Sequence, residues 1–162
     1  MRKTQYMTLI LTLLAAICGH SATAGDIAIE DAYFRTSGPL AKSGAAFMHI
    51  RNHSDQDDRL IWVSSESAKR VELHSHIDAG DGVVLMRQVE GGFVIPAHGM
   101  QMLARGGRHI MFMGLTDKVA NGDIITVTMG FEHAGEISVD IAVDQARKPD
   151  TGAMQMDHGS DG

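Results

Sequence analysis

From residue 26 onward the chain alternates apolar with polar or less apolar residues in short segments, and nowhere holds a 3.6-residue period over three turns with a cap at each end. A helical fold is thereby set aside. The segments are DIAIEDAY (26–33), GAAFMHIR (44–51), RLIWVSS (59–65), RVELHSHI (70–77), GVVLMRQV (82–89), GMQMLA (99–104), RHIMFMG (108–114), DIITVTMGF (123–131) and EISVDIAV (136–143), most of them separated by Gly, Asp, Asn or Pro. About nine short strands at this spacing predict an all-β fold, an antiparallel Greek-key β-sandwich. At 162 residues the chain suits one domain that can bury a core without disulfides.

The ends read differently from the middle. Arg2 and Lys3 precede an apolar run from Met7 to Cys18, and Ala22-Thr23-Ala24 offers small residues where a signal peptidase cuts. The run is about half the ~20 residues a spanning helix needs, so residues 1–24 are expected to be a cleaved signal peptide that leaves no stable membrane insertion. A lipid anchor at Cys18 is disfavoured by the bulky Ile17 before it. The predicted division is 1–24 signal, 25–147 β-sandwich domain and 148–162 a flexible tail.

Cleavage removes two basic residues, leaving 12 basic against 20 acidic and a net charge of −8. An acidic chain with no basic, aromatic-laced patch is not expected to bind nucleic acid. The single cysteine, Cys18, goes with the signal. The mature domain therefore has no disulfide, no zinc-thiolate cluster and no cysteine nucleophile.

Within Val71–Leu115 the donors fall in a pattern: His74, then Met86 after eleven residues, then His109 after twenty-two more, then Met111 after one. Two turns bring them closer. Residues 78–82 (DAGDG) tolerate positive φ and predict a hairpin joining 70–77 to 82–89, and Gly106-Gly107 permits a tight reversal just before Arg108. Parity then sorts the side chains. Val71, Leu73 and Ile77 share one face, leaving Glu72, His74 and His76 on the other; Val83, Leu85 and Val89 oppose Met86; Ile110 and Phe112 oppose His109, Met111 and Met113. Each candidate ligand falls on the face the core does not need.

Thioether sulfur is a soft neutral donor that holds Cu(I) well, and imidazole suits copper in either oxidation state. Two His and two Met can hold Cu(I) without thiolate, weakly enough for exchange, whereas a blue-copper electron carrier would need a Cys sulfur. Met48, Met100, Met102 and Met129 are expected to be packing residues, and His49, His53, His98 and His133 surface or hydrogen-bonded histidines. Two other classes compete. A secreted carbohydrate- or protein-binding module would show exposed aromatics, and Trp62 is the only Trp; an exported copper enzyme would need an open coordination position and a substrate pocket.

The stretch VELHSHI…DGVVLMRQVEGGFVIPAHG…GGRHIMFMGL, with IEDAYFRTS and GAAFMHIRN upstream and GDIITVTMGFEHAGEISVDIAV downstream, resembles the periplasmic copper chaperones of the PCu(A)C family. That resemblance implies a cupredoxin-like sandwich and a non-enzymatic role. It also implies Cu(I) held near the surface by the residues matching His74, Met86, His109 and Met111. The copper would pass to an acceptor, either the copper-site subunit of cytochrome c oxidase or another copper chaperone, with buffering or resistance as the alternative. One departure stands out: where relatives often carry Met two residues after the first His, this chain has His76, an auxiliary ligand candidate beside Met113. The tail, TGAMQMDHGSDG, offers Met154, Met156 and His158 as a second copper site, with Asp157 helping if the ion there is Cu(II).

Overall fold

A computed structural model describes residues 25–38 and 40–149. Among these the chain forms ten strands and no helix: β1 (Ile27–Thr36), β2 (Ser43–Asn52), β3 (Asp58–Ser64), β4 (Ala68–Asp78), β5 (Val84–Gln88), β6 (Phe93–Ile95), β7 (Met100–Leu103), β8 (His109–Leu115), β9 (Ile124–Phe131) and β10 (Gly135–Val143). The all-β expectation holds, and nine strands lie on the nine predicted segments. β6 is the addition. Phe93-Val94-Ile95 is too short to show alternation, and it pairs with β3 between Gly92 and Pro96.

The strands run in the order β5-β4-β8-β2-β1-β10-β9-β3-β6, with β7 on β2. Pairing is antiparallel except between β1 and β10, which run parallel through Tyr33–Ala142 and Phe34–Val143. The core is built from alternate residues of nearly every strand, including Phe34, Ile50, Leu60, Ile110, Phe112, Val127, Met129 and Ile141. Phe34 and Phe112 meet edge to face at 4.9 Å, the geometry their ring quadrupoles favour. Met48 and Met129 are buried as expected, but Met100 is exposed at the β2–β7 pairing, where its sulfur accepts from Arg51 Nη2 at 3.7 Å.

Gly106-Gly107 does not reverse the chain. β7 and β8 both pair antiparallel with β2, β7 through Met48–Arg51 and β8 through Ser43–Ala46. On the β2 side the six residues 104–109 stand opposite Phe47 alone, and the chain then resumes the same direction. Gly106, at φ 83°, and the Ala104–Arg108 backbone bond close that loop.

The buried Asp58 ties the start of β3 to the β9–β10 turn. Its Oδ1 accepts from the backbone of Arg59 at 2.7 Å and His133 at 3.0 Å, and its Oδ2 from Ala134 at 2.9 Å. Alanine there would strand these donors, at about 1–3 kcal/mol for a buried unsatisfied group. Asp58→Ala is expected to lower the urea midpoint by the equivalent of about 2–3 kcal/mol.

Candidate metal centre

β5, β4 and β8 are consecutive in the sheet, and their shared face carries the predicted donors. The predicted hairpin is present, closed through Gly80, Asp81 and Gly82, all at positive φ. Its register places Met86 opposite His76, and His74 opposite Gln88. On the other side of β4, His74 faces His109, Glu72 faces Met111 and Arg70 faces Met113. Three imidazoles thus form the middle of the patch, with ring centroids 5.3 Å apart for His76–His109 and 5.9 Å for His74–His109. The two thioethers flank it: Met86 lies beyond His76, and Met111 is four positions away along β4, on the opposite neighbouring strand.

Two of the rings have their protons placed by neighbours. Glu72 Oε2 accepts from His74 Nε2 at 2.9 Å; since a carboxylate only accepts, Nε2 carries the proton and Nδ1 is the lone-pair atom. That Nδ1 is buried and has no hydrogen-bond partner. On His109 the roles reverse: Nδ1 donates to the Gly107 carbonyl at 3.0 Å, leaving Nε2 as the lone pair. Histidines that bind metals are oriented in this way, one nitrogen tied to a carboxylate or carbonyl and the other bare. His76 has a buried, unpartnered Nδ1 as well, and its backbone N–H reaches the same Gly107 carbonyl at 3.3 Å. Among the described residues no group of three or more His, Cys, Asp and Glu is arranged to hold a metal ion.

Two parity expectations require correction. His109 lies on the non-core face but is only 2% exposed. Phe47 covers it at 6.1 Å, Tyr33 stacks on Phe47 at 5.1 Å, and the Arg147 guanidinium lies over Tyr33 at 4.9 Å. The unbroken apolar run Ala45–Met48 was the available signal, because a strand covered on both faces loses its alternation. The expected core face of the hairpin is also exposed, with Ile77 at 45%, Val83 at 50% and Leu85 at 37%. β5 is the last strand of the sheet, pairs only with β4, and is exposed at all five residues, so no other layer packs on either of its faces.

The sequence reading passed over Glu72 and Gly107 as orienting groups, and over Arg70. Arg70 Nε bonds Glu72 Oε1 at 3.2 Å, and its Nη2 donates to the Met113 sulfur at 3.2 Å. Met113 is on the predicted face, with its sulfur against that guanidinium. Met154, Met156 and His158 lie outside the described residues, as do residues 1–24.

Burial pushes the His109 pKa below its ordinary 6.5; the neighbouring His76 and His74 push the same way, and the Gly107 hydrogen bond opposes them. A histidine whose folded pKa is depressed is protonated first in the unfolded chain. Stability is then complete above pH 6.5 and falls as pH drops through the unfolded value toward the folded one. We expect the urea midpoint to fall between pH 7.5 and 5.5, and His109→Gln to flatten that slope.

Two solved structures share the fold. The copper-bound PCuAC domain from PmoF2 is 26% identical, with TM-score 0.61, covering 75% of this chain and 94% of its own. The Cu(I) form of DR1885 from Deinococcus radiodurans is 27% identical, with TM-score 0.58, covering 79% and 86%. The fold and the His/Met-bearing sheet face thus make this a PCuAC-type β-domain. Residues 27–143 match the family described as "Putative lipoprotein LpqE-like", and the chain belongs to that LpqE-like family. A relative from Leifsonia xyli subsp. xyli (strain CTCB07), named "Putative lipoprotein Lxx21020", is 32% identical over 99 residues. The match takes in 61% of this chain and 59% of that relative, so the chain spans about three fifths of the relative's length.

Proposed function

We propose that this protein is an exported copper chaperone that binds Cu(I) through His74, Met86, His109 and Met111 and hands it to a copper acceptor. The observation that carries this reading is the pair of oppositely tied imidazoles, His74 and His109, each with one nitrogen held by the protein and a lone pair left on the other. Thioethers on the same face make the donor set soft, which favours Cu(I) over Zn(II) or Mg(II). The copper-bound PmoF2 domain and Cu(I)-bound DR1885 support the choice of metal.

Handover needs an accessible ligand, and Met86 is 47% exposed on the edge strand β5. An incoming acceptor can exchange a donor there without opening the sheet. The acceptor we favour is the copper-site subunit of cytochrome c oxidase, or another copper chaperone, and the mature charge of −8 steers it if it is basic. Residues 1–24 act as the export signal, placing the domain in the periplasm. The lipoprotein names of the relatives favour a second form, held at the membrane by a lipid on Cys18, which mass spectrometry of the purified protein distinguishes. The tail residues Met154, Met156 and His158 supply a second, weaker copper position.

Anaerobic Cu(I) titration of the exported protein against a competing chelator is the test, followed by transfer to a soluble acceptor domain of the oxidase. One tight site and transfer support the proposal. Absence of Cu(I) binding overturns it, and binding without transfer replaces delivery with buffering or resistance.

A further inference from the structure

By register, Met86 stands beside His76, and Met111 stands diagonal to His74 on the strand of His109. We infer that the face carries two overlapping copper positions that share His109: an inner one with His74 and Met111, and an outer one with His76 and Met86. This inference rests on the chaperone reading and goes beyond it by making His76 a ligand in its own right.

Register is the first support. Met86 is the direct cross-strand neighbour of His76, and directly opposed side chains lie about 4.5–5.5 Å apart at Cβ, against about 7–8 Å for a diagonal pair such as His74 and Met86. Met111 is next but one to His109 on β8, and sits diagonally from His74. The two methionines are set four residues apart by register along β4, about 13 Å of backbone at 3.3 Å per residue, with β4 between their strands. By register each methionine therefore has its own neighbouring imidazole, His76 for Met86 and His109 for Met111.

The bare nitrogens are the second support. His74 and His76 each have a buried Nδ1 without a hydrogen-bond partner, where one would suffice for a single two-His site. An unpaired buried polar atom costs free energy unless a ligand satisfies it. Both rings stand close to His109, and His76 is the closer, at 5.3 Å against 5.9 Å. The Gly107 carbonyl fixes both sides of the outer position, accepting from the His76 backbone N–H and from His109 Nδ1.

His109 sets the stoichiometry. With Nδ1 tied to Gly107 it has one lone pair, on Nε2, and one lone pair binds one ion at a time. The positions are alternatives. Copper in the inner one lies beside Glu72 and the half-buried Met111; in the outer one it lies beside exposed Met86 on the sheet edge. Movement of Cu(I) between them exchanges one imidazole and one thioether for another pair, with no change of oxidation state and no proton released. The outer position is the one an acceptor reaches.

Chelator competition on the exported protein, its His74→Ala and His76→Ala variants and the double variant tests this. Each single variant is expected to keep one Cu(I), weakened about 10-fold, and the double variant to lose more than about 100-fold. In His74→Ala, Cu(I) should shift the His76 ring signals and the Met86 methyl signal in NMR spectra, a response that a structural role for His76 would not give. The inference is overturned if His76→Ala matches the unmodified chain while His74→Ala alone abolishes binding. It is equally overturned if the folded double variant, checked by its amide spectrum, still binds tightly. Those outcomes leave the chaperone reading intact, whereas an unmodified chain that binds no Cu(I) removes both.

Discussion

Replacing His109 with alanine is expected to weaken Cu(I) binding by more than about 100-fold, over 2.7 kcal/mol, the largest loss from any single substitution on this face. The magnitude follows from comparison: removing a group that only orients a metal ligand costs about 10–100-fold, and His109 is proposed as a ligand itself. Its place in the geometry adds to this. Its ring lies within 6 Å of both His74 and His76, so it is placed to share a metal with either. Burial makes it rigid as well as central, since Phe47 lies over it and Gly107 fixes its tautomer. Alanine also opens a cavity, so His109→Gln, which fills much of the space, is the companion variant. Both should lose the copper, while glutamine keeps more of the fold by urea titration. A His109→Gln protein that retained Cu(I) within a few-fold of the unmodified chain would remove His109 from the ligand set.

The contrast between His109 and Met86 shows how far the residues alone could carry the reading. Parity depends only on a strand's period of two. It therefore put Leu73, Ile110 and Phe112 in the core and the His and Met donors on the opposite face, without knowledge of any partner strand. Exposure is different, because it depends on what lies over a face. Nothing local to RHIMFMG says that a Phe47–Tyr33 stack covers His109, and nothing local to GVVLMRQV says that its strand ends the sheet. Register is likewise a property of pairs of strands. The DAGDG turn announced a hairpin but not that Met86 would face His76 in place of His74, because a shift of two residues preserves every facing and changes every neighbour. Gly106-Gly107 misled for a related reason: two glycines permit a sharp turn, but the partner strand β2 decides whether the chain reverses or loops out and resumes. The orienting groups were hidden because Glu72 reads as an ordinary exposed-face acid and Gly107 acts through its carbonyl.

Phe112→Ala is expected to cost about 3–5 kcal/mol of folding stability, the typical range for deleting a fully buried Phe. Phe112 has no exposed surface and meets Phe34 edge to face. Its cross-strand neighbours are Gly44 on β2 and Val71 on β4. Gly44 is part of the same packing: a Cβ there would lie 2.3 Å from Phe34 Cζ, so the ring occupies the space that a side chain on β2 would take. A collapse that filled the Phe112 cavity would have to move Phe34, and with it β1. Against a total stability of about 5–15 kcal/mol for a domain, such a loss leaves a substantial unfolded fraction on mild heating. Copper enters because Phe112 lies between Met111 and Met113 on β8 and holds that strand's other face outward. Its loss should weaken Cu(I) binding only as far as it unfolds the chain, and Phe112→Leu should recover both stability and binding in part. Proportional recovery separates this residue from His109, for which no gain in stability restores the missing nitrogen. If Phe112→Ala stayed folded, by its urea midpoint, and still lost copper, the division between a core face and a ligand face on β8 would be wrong.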